Sequence, residues 1–268
     1  MTKATDPAAD FQSYTYSAFP QALYRRFVET YLSPFSTGFR EALDLGCGSG
    51  GLLEELQGLD AEGSLLGVDV SAACIEACRA RPSLQGGRVS LLQADAVDLA
   101  RRPGMPGRFD LVASYSVLHL VPGDTPSKMR LLADLTRPGA LLAVDALCRI
   151  PWNRFMFGIV KGLIATGLWG VALRVLGPFV GPSFPKEFLE ELARMRYLRR
   201  LRYQDFLDLE YLRSEAFQRD FQVLRLDVLP QDGFFTGRKA RLALRRRGSP
   251  LMASRQIAES ATLPPDPR

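Results

Sequence analysis

The chain contains 268 residues, of which 47% are hydrophobic and 24% are charged. This composition is typical of a globular protein with a sizeable core and excludes an intrinsically disordered chain. The formal net charge of +5 is mildly basic. It predicts solvated basic faces, with contact to an anionic membrane or to nucleic acid as the alternatives. The four cysteines do not suggest a disulfide framework, so we expect free thiols in the cytoplasm.

Residues 1–18 lack the apolar run of a secretory signal. Tyr14 and Tyr16 lie in this segment, and such aromatic side chains suggest a lid over a ligand that contributes to substrate binding. Simple packing against the next helix is an equal alternative. The apolar spacing over 20–32 predicts an amphipathic helix.

An alternation of short apolar strands and helices follows. Short apolar runs are typical of strands buried on both faces, and their alternation with helices predicts a parallel sheet covered on both sides. The predicted strands are 41–46, 64–70, 88–94, 109–115 and 140–147, and the predicted helices are 50–57, 71–80 and 125–137.

The alternation ends near residue 150, where a long apolar stretch begins. We interpret it as a helical insertion after the fifth strand, followed by a helix over 204–219 and two late strands, 222–229 and 239–246. The predicted divisions are an N-terminal lid and helix (1–35), a core (36–149), a hydrophobic insertion (150–202), a C-terminal helix and strand pair (203–247) and a disordered tail (248–268).

The segment ALDLGCGSGG, residues 42–51, joins the first strand to a helix. Glycines there permit a tight turn and a close approach of the backbone to a ligand, and the helix start offers free N–H groups. Gly46, Gly48 and Gly51 also fit the dinucleotide pattern G-x-G-x-x-G, a weak signal by itself. A plain strand-to-helix turn is the structural alternative.

Three acidic residues at strand ends separate these alternatives. A carboxylate at Asp44 would repel a pyrophosphate but attract the ammonium of a methionine moiety. Asp69 ends the second strand, where an acid can accept hydrogen bonds from both ribose hydroxyls. Asp95, before Ala96, could accept an adenine amino group or cap the next helix.

The segment ALDLGCGSGGLL resembles motif I of the class I S-adenosylmethionine (SAM) dependent methyltransferases. Four further segments, GVDVS, QADAVDL, FDLVASYSVLHLVP and LTRPGALLAVDAL, resemble later motifs of that family in the same order over about residues 40–147. The resemblance implies SAM as cofactor and an α/β fold, a Rossmann-like doubly wound seven-stranded sheet with a closing antiparallel hairpin. The expected cofactor-binding residues are Asp44, Leu45, Gly46, Cys47, Gly48, Asp69, Val70, Asp95, Ala96, Ser114 and Tyr115.

Two residues are candidates for catalysis. His119, the single histidine, follows the fourth strand and could act as general base, or it could pack against the cofactor instead. Tyr115 is the second candidate, and the resemblance implies that either Ser114 or Tyr115 faces the methionine part of SAM. We expect no metal, because Cys74 and Cys78 share a helix face without a second ligand pair.

The insertion bears on the substrate. Its uncharged run, residues 162–173, is shorter than the ~20 residues that span a bilayer. It could form a buried cap in which Phe155 and Trp169 bind substrate, or it could be an interfacial helix that touches a membrane over 152–180. Both interpretations favour a hydrophobic small molecule, such as a quinone, polyketide or lipid.

The predicted function is therefore methyl transfer from SAM to an O, N or C nucleophile of such a molecule. The enzyme is expected in the cytoplasm, with association with a membrane as the alternative. Nucleic acid is not favoured, because the residues after the fourth strand, Ser114 to Val117, match neither the Asn/Asp-Pro-Pro turn of amino-directed enzymes nor a cysteine nucleophile. An RNA or protein methyltransferase and a non-catalytic SAM-binding scaffold stay open as alternatives. A nicotinamide enzyme is more distant.

Overall fold

A computed structural model of the chain describes residues 21–60, 62–176, 202–230 and 238–248. The predictions for Tyr14, Tyr16, the tail beyond residue 248 and the end of the insertion concern residues outside these ranges. Within them, no helix is long and apolar enough to cross a bilayer.

Seven strands form one sheet in the order β3-β2-β1-β4-β5-β7-β6. The first five are parallel, and β7 pairs antiparallel with both β5 and β6. This confirms the predicted seven-stranded sheet with its closing hairpin. The strands are β1 (Glu41–Leu45), β2 (Ser64–Asp69), β3 (Val89–Gln93), β4 (Phe109–Tyr115), β5 (Thr136–Leu147), β6 (Phe221–Pro230) and β7 (Arg238–Arg246).

Helices cover both faces of the sheet. Apolar side chains bury the two faces in two separate clusters, one under α1 and α2 and one under α5. In the described ranges the α-helices are α1 (Gln21–Tyr31), α2 (Gly51–Leu59), α3 (Ala72–Arg79), α4 (Ala96–Arg101), α5 (Thr125–Leu135), α6 (Pro151–Ala165), α7 (Trp169–Leu176) and α8 (Glu215–Asp220).

Three predicted elements are wrong in their extent. The helix predicted over 125–137 ends at Leu135, and β5 begins four residues earlier than predicted, at Thr136. The helix predicted over 204–219 is two short 3-10 turns followed by α8. The reason is that the backbone of Leu207 bonds to the end of β5, where its N–H donates to the Leu147 carbonyl at 2.8 Å.

The topology determines where a ligand can bind. The chain runs from β1 to β2 and β3 on one side and then returns to β4 on the other, so the order reverses beside β1. Ligands of doubly wound sheets bind in the crevice at the carboxyl ends of the strands where this reversal occurs. The glycine segment 46–51 follows β1 at this point.

Candidate cofactor site

A cavity of about 200 Å³ lies at the carboxyl ends of the central strands. It brings together ten of the eleven predicted cofactor-binding residues, all except Ser114. Its lining residues are Tyr24, Asp44, Leu45, Gly46, Cys47, Gly48, Leu52, Val68, Asp69, Val70, Ser71, Cys74, Ala94, Asp95, Ala96, Tyr115, Ser116, Val117, Leu120, Val121 and Pro122.

The glycine segment forms the wall of the cavity next to β1. Gly46 has a φ of +82°, and a Cβ atom there would lie 2.2 Å from the Cγ2 atom of Val117. Any larger residue at position 46 would therefore be strained and would collide with a neighbour. Only glycine allows this close contact between the β1 turn and the segment after β4.

Asp69 links the end of β2 to the glycine segment through hydrogen bonds. Its carboxylate accepts hydrogen bonds from the backbone N–H groups of Gly48 and Ser71, both at 2.9 Å. Burial raises the pKa of Asp69, and these amide donors oppose that rise. Each carboxylate oxygen keeps a further lone pair, so the group can still accept from hydroxyls in the cavity.

Asp44 is the most unusual acid of the site. Its side chain is buried, and neither carboxyl oxygen has a hydrogen-bond partner among the described residues. Burial raises the pKa of Asp44 well above its ordinary value, and the nearby charge of Asp69 adds to the rise. A buried, unpartnered carboxyl is costly unless a cation pairs with it. The ammonium of SAM would satisfy this requirement, so the residues present fit the cofactor.

Asp95 begins α4 and lies exposed at the cavity rim. One carboxylate oxygen accepts from the backbone N–H of Val97 at 2.7 Å, which is the geometry of a helix cap. The capping role is therefore present, and because Asp95 also lines the cavity, the second oxygen stays available for an adenine amino group.

Aromatic side chains close the cavity on the side of α1. Tyr24 and Phe27 both pack edge-on against Tyr115, with ring centroids 5.1 Å apart in each pair. Burial and the nearby Asp44 raise the pKa of Tyr24, so its hydroxyl stays protonated. The apolar spacing predicts α1 but does not identify Tyr24 as a lining residue, because an amphipathic stripe does not show which strand end its helix covers.

The resemblance left open whether Ser114 or Tyr115, at the end of β4, faces the cofactor. Tyr115 lines the cavity, whereas Ser114 is fully buried outside it, and its hydroxyl has no partner within the described chain. Ser116, the next residue, lines the cavity with a φ of +62°. It is the one described residue other than glycine with a positive φ, and sequence reasoning did not identify it.

A buried charged cluster, which the sequence did not predict, lies beside Tyr115. Asp145 on β5 pairs with Lys239 at 2.8 Å and Arg241 at 2.7 Å, and all three side chains are less than 10% exposed. The Lys239 ammonium also donates to the Ser116 hydroxyl at 2.9 Å. The one available signal was the acid within the apolar run LLAVDAL of the fifth strand.

His119 does not line the cavity. Its ring is buried, packs edge-on against Phe206 and receives a long hydrogen bond of 3.5 Å from the Leu147 N–H at Nδ1. Burial, with the positive charge of Lys239, lowers the pKa of His119 to about 3. These observations do not favour the predicted role of general base.

All four cysteines are buried and reduced. Cys47 and Cys78 lie with their sulfur atoms 4.0 Å apart, and the Cys78 thiol contacts the Gly48 carbonyl at 3.0 Å. Within the described ranges, no three His, Cys, Asp or Glu side chains are grouped as metal ligands.

The insertion residues predicted to bind substrate do not reach the cavity. Phe155 on α6 is 61% exposed and lies on the outer surface. Trp169 on α7 is buried, but it packs against Val160 inside the insertion itself. The insertion thus meets the core elsewhere, through Asn153 and through the contact of Phe157 with Phe206.

Sequence and fold comparisons agree with this site. The fold and the paired strand-end acids define a methyltransferase, and residues 42–139 match a family described as "Methyltransferase domain". The chain is 32% identical over 166 residues to the ubiquinone biosynthesis O-methyltransferase of Marinobacter nauticus, and the match covers 59% of this chain and 68% of the relative. It is 31% identical to the Pseudomonas aeruginosa protein of the same name, over 45% of this chain and 50% of that relative.

Solved structures show the same fold at low identity. A structure described as "Conversion of a Disulfide Bond into a Thioacetal Group during Echinomycin Biosynthesis" has a TM-score of 0.57 at 18% identity and covers 92% of both chains. The N-methyltransferase NodS from Bradyrhizobium japonicum, bound to S-adenosylhomocysteine (SAH), has a TM-score of 0.50 at 13% identity, over 86% of this chain and 88% of that one.

The chain therefore belongs to the class I SAM-dependent methyltransferases. The predictions of a Rossmann-like fold, of SAM as cofactor and of a methyltransferase enzyme are confirmed. The relatives also support the predicted small-molecule substrate.

Proposed function

We propose that this enzyme methylates an oxygen atom of a hydrophobic small molecule, with a phenolic hydroxyl of a quinol-like ring as the acceptor. The observation that carries the cofactor half of the proposal is the buried, unpartnered Asp44 carboxyl in the cavity. The acceptor half is supported by the name that the relatives share, ubiquinone biosynthesis O-methyltransferase, and by the apolar wall of Leu120, Val121 and Pro122.

Each of the three strand-end acids would bind a different part of the cofactor. Asp44 would hold the methionine ammonium, Asp69 the ribose hydroxyls and Asp95 the adenine amino group. When bound, SAM supplies a methyl group on a sulfonium, which an oxygen nucleophile can displace. The chain aligns the nucleophile with the methyl group and excludes water from the cavity. Tyr24 and Tyr115, which pack against each other, contribute the aromatic side chains that exclude water.

The first test is a titration of SAH into the purified protein, followed by assays for methyl transfer to alkylated catechols and hydroquinones. We expect micromolar binding of SAH, and we expect Asp69→Ala to weaken it at least tenfold because the ribose acceptor and the support of Gly48 are lost together. Tight SAH binding without transfer to any phenol would favour the scaffold alternative. Transfer to RNA in preference to phenols would favour the nucleic-acid alternative.

We also propose that the insertion touches an anionic membrane surface. The part of the insertion that the structure describes has six exposed large apolar residues, and residues 149–176 contain no acidic side chain while they include four basic ones. A basic helix with an exposed apolar face is typical of interfacial binding. The exposed apolar residues are Trp152, Phe155, Ile159, Leu168, Val171 and Val175.

Vesicle sedimentation tests this contact. We expect the protein to sediment with vesicles that contain phosphatidylglycerol and to do so less with pure phosphatidylcholine. The double variant Phe155→Ser/Val171→Ser should lose most of this binding, whereas Val223→Ser, which removes an exposed apolar residue of β6, should not. Equal sedimentation of all three proteins would contradict the contact.

A further inference from the structure

The strand β6, at one edge of the sheet, presents an exposed apolar surface. Outside the insertion, the described chain has three exposed large apolar residues, Val223, Leu226 and Val228, and all three lie on β6. β6 is the last strand in the order of the sheet, and no described strand pairs with its outer edge. A long edge with exposed apolar side chains is a template for pairing with another chain, and proteins normally cover or blunt such edges. The β6 edge is therefore a candidate interface between proteins.

The three apolar residues share one face of the sheet, because their partners on β7 all belong to the core cluster under α5. These partners are, in order, Leu244, Leu242 and Ala240. On this face α8 covers the beginning of β6, where Phe217 stacks on Phe221 with ring centroids 5.3 Å apart. Farther along the strand the three apolar side chains are 37–40% exposed.

The opposite face of β6 carries one cation and one anion. Arg225 and Asp227 lie two residues apart, and Nε of Arg225 donates to Oδ2 of Asp227 at 2.6 Å. Asp227 also accepts from the Tyr31 hydroxyl at 2.7 Å, so this face lies on the side of α1. The two charged side chains are 46% and 31% exposed. A positive and a negative charge thus flank Leu226 symmetrically along the strand.

We propose that β6 pairs antiparallel with β6 of a second copy of this chain, about a twofold axis through Leu226, so that the two sheets become one. A dimer of this kind uses the same surface on both copies, so the surface must be complementary to itself. With the axis at Leu226, Arg225 lies opposite Asp227 of the second copy, and the reverse pair forms on the other side of the axis. On the apolar face, Leu226 lies beside Leu226 of the second copy.

Charge and geometry select this axis over its neighbours. A twofold axis perpendicular to the sheet preserves both faces, so opposite residues share a face and the axis passes through a residue. An axis at Arg225 would oppose two arginines and one at Asp227 two aspartates, and like charges directly opposite each other destabilise a sheet. An axis at Val228 would bring Pro230, which has no N–H to donate, within two residues of the axis. The bulge between Val223 and Arg225 disfavours axes nearer the start of the strand, because it interrupts the alternation there.

A disulfide across the axis tests this register. Residues directly opposite in an antiparallel pair have Cα atoms about 4.5–5.5 Å apart, which is within the range of a disulfide. Leu226→Cys should therefore give a covalent dimer with diamide, which takes up the two hydrogens that the thiols lose. Val223→Cys is the matched control on the same strand and face, since the two copies of residue 223 would lie about 20 Å apart. The four native cysteines are buried, so they do not compete.

Sedimentation velocity with charge reversal tests the ion pairs. We expect the unmodified protein to sediment as a dimer at high concentration. Arg225→Glu places two acids opposite each other on both sides of the axis, so it should weaken the dimer about tenfold. Arg225→Glu/Asp227→Lys restores opposite charges and should recover most of the association. Circular dichroism of each variant checks that the fold is retained.

Three outcomes would overturn the proposal. The first is a monomer at every concentration; if its β6 amides were protected from hydrogen exchange, another segment of the same chain would cover the edge. The second is equal cross-linking of Leu226→Cys and Val223→Cys. The third is a dimer that neither forms the disulfide through residue 226 nor responds to Arg225→Glu, because its interface would then lie elsewhere.

Discussion

The cofactor cavity and the insertion differ in how their residues are held. Around the cavity, every strand-end acid is positioned by backbone hydrogen bonds or by complete burial. Among the described side chains of α6 and α7, only Asn153, Val160 and Trp169 are buried, while five large apolar residues are exposed. The fold itself therefore fixes the positions of the side chains in the cofactor cavity. The insertion instead presents an exposed surface, and its function depends on what that surface contacts.

The largest expected effect concerns the tightest point of the cavity. Gly46→Ala should lower the free energy of unfolding by about 3 kcal/mol and abolish SAH binding, because a left-handed φ and a collision with Val117 add together. Chemical denaturation and calorimetry measure the two effects. Gly58→Ala in α2, where a Cβ meets no atom within 4 Å, is the control and should be neutral or stabilising. Equal behaviour of the two variants would remove the geometric basis of the site.

Asp44→Asn should separate stability from cofactor binding. The pKa of Asp44 is raised in the folded protein, so the folded state holds a proton that the unfolded chain releases above its ordinary value of 3.8. The stability of the ligand-free protein should therefore fall as pH rises above that value. The asparagine variant should lack this fall, be more stable at pH 7 by on the order of 1 kcal/mol, and bind SAH at least tenfold more weakly. A variant that is less stable at pH 7 would contradict this account of Asp44.

His119→Asn should have a small effect. Because the pKa of His119 is about 3, the ring is neutral throughout the neutral range and is a poor base. We expect kcat to fall less than tenfold, with an unchanged dependence on pH between 6 and 9. Loss of activity by a factor of 10³ or more, with the folded state intact by circular dichroism, would restore the base role that the sequence predicted.

The smallest expected effect lies on the insertion. Phe155→Ser should change the free energy of unfolding by less than about 0.5 kcal/mol, because the side chain is 61% exposed. Leu53→Ala in α2, where the leucine is fully buried, should cost about 2–5 kcal/mol by the same denaturation measurement. Similar losses for the two variants would show that the insertion is packed as tightly as the core.

The cofactor side of the molecule was largely predictable from the sequence. Glycines and acids occur at the ends of successive predicted strands. In a parallel sheet these strand ends lie side by side, so Asp44, Asp69 and Asp95 could be assigned to one cavity. Ser114 and Tyr115 are adjacent, and only the pleat of β4 decides which of them faces the ligand.

Other features depend on contacts between distant parts of the chain. The Leu207 backbone bonds to β5 and prevents the predicted helix over 204–219, and no local propensity reports such a bond. The pairing of Asp145 with Lys239 and Arg241 requires the register of an antiparallel strand about 95 residues away. His119 was a candidate general base because it follows β4, but this position in the sequence does not show how deeply the side chain is buried.

The position of β7 has a consequence for synthesis of the chain. It is the last of the seven strands in sequence, yet it lies inside the sheet between β5 and β6. On the ribosome, β5 therefore remains an unpaired edge, and Asp145 has no cation beside it, until the segment up to Arg246 has emerged. The nascent protein thus exposes an aggregation-prone strand edge while roughly the next 100 residues are synthesised, and Asp145 acquires its two cations only when β7 pairs with β5.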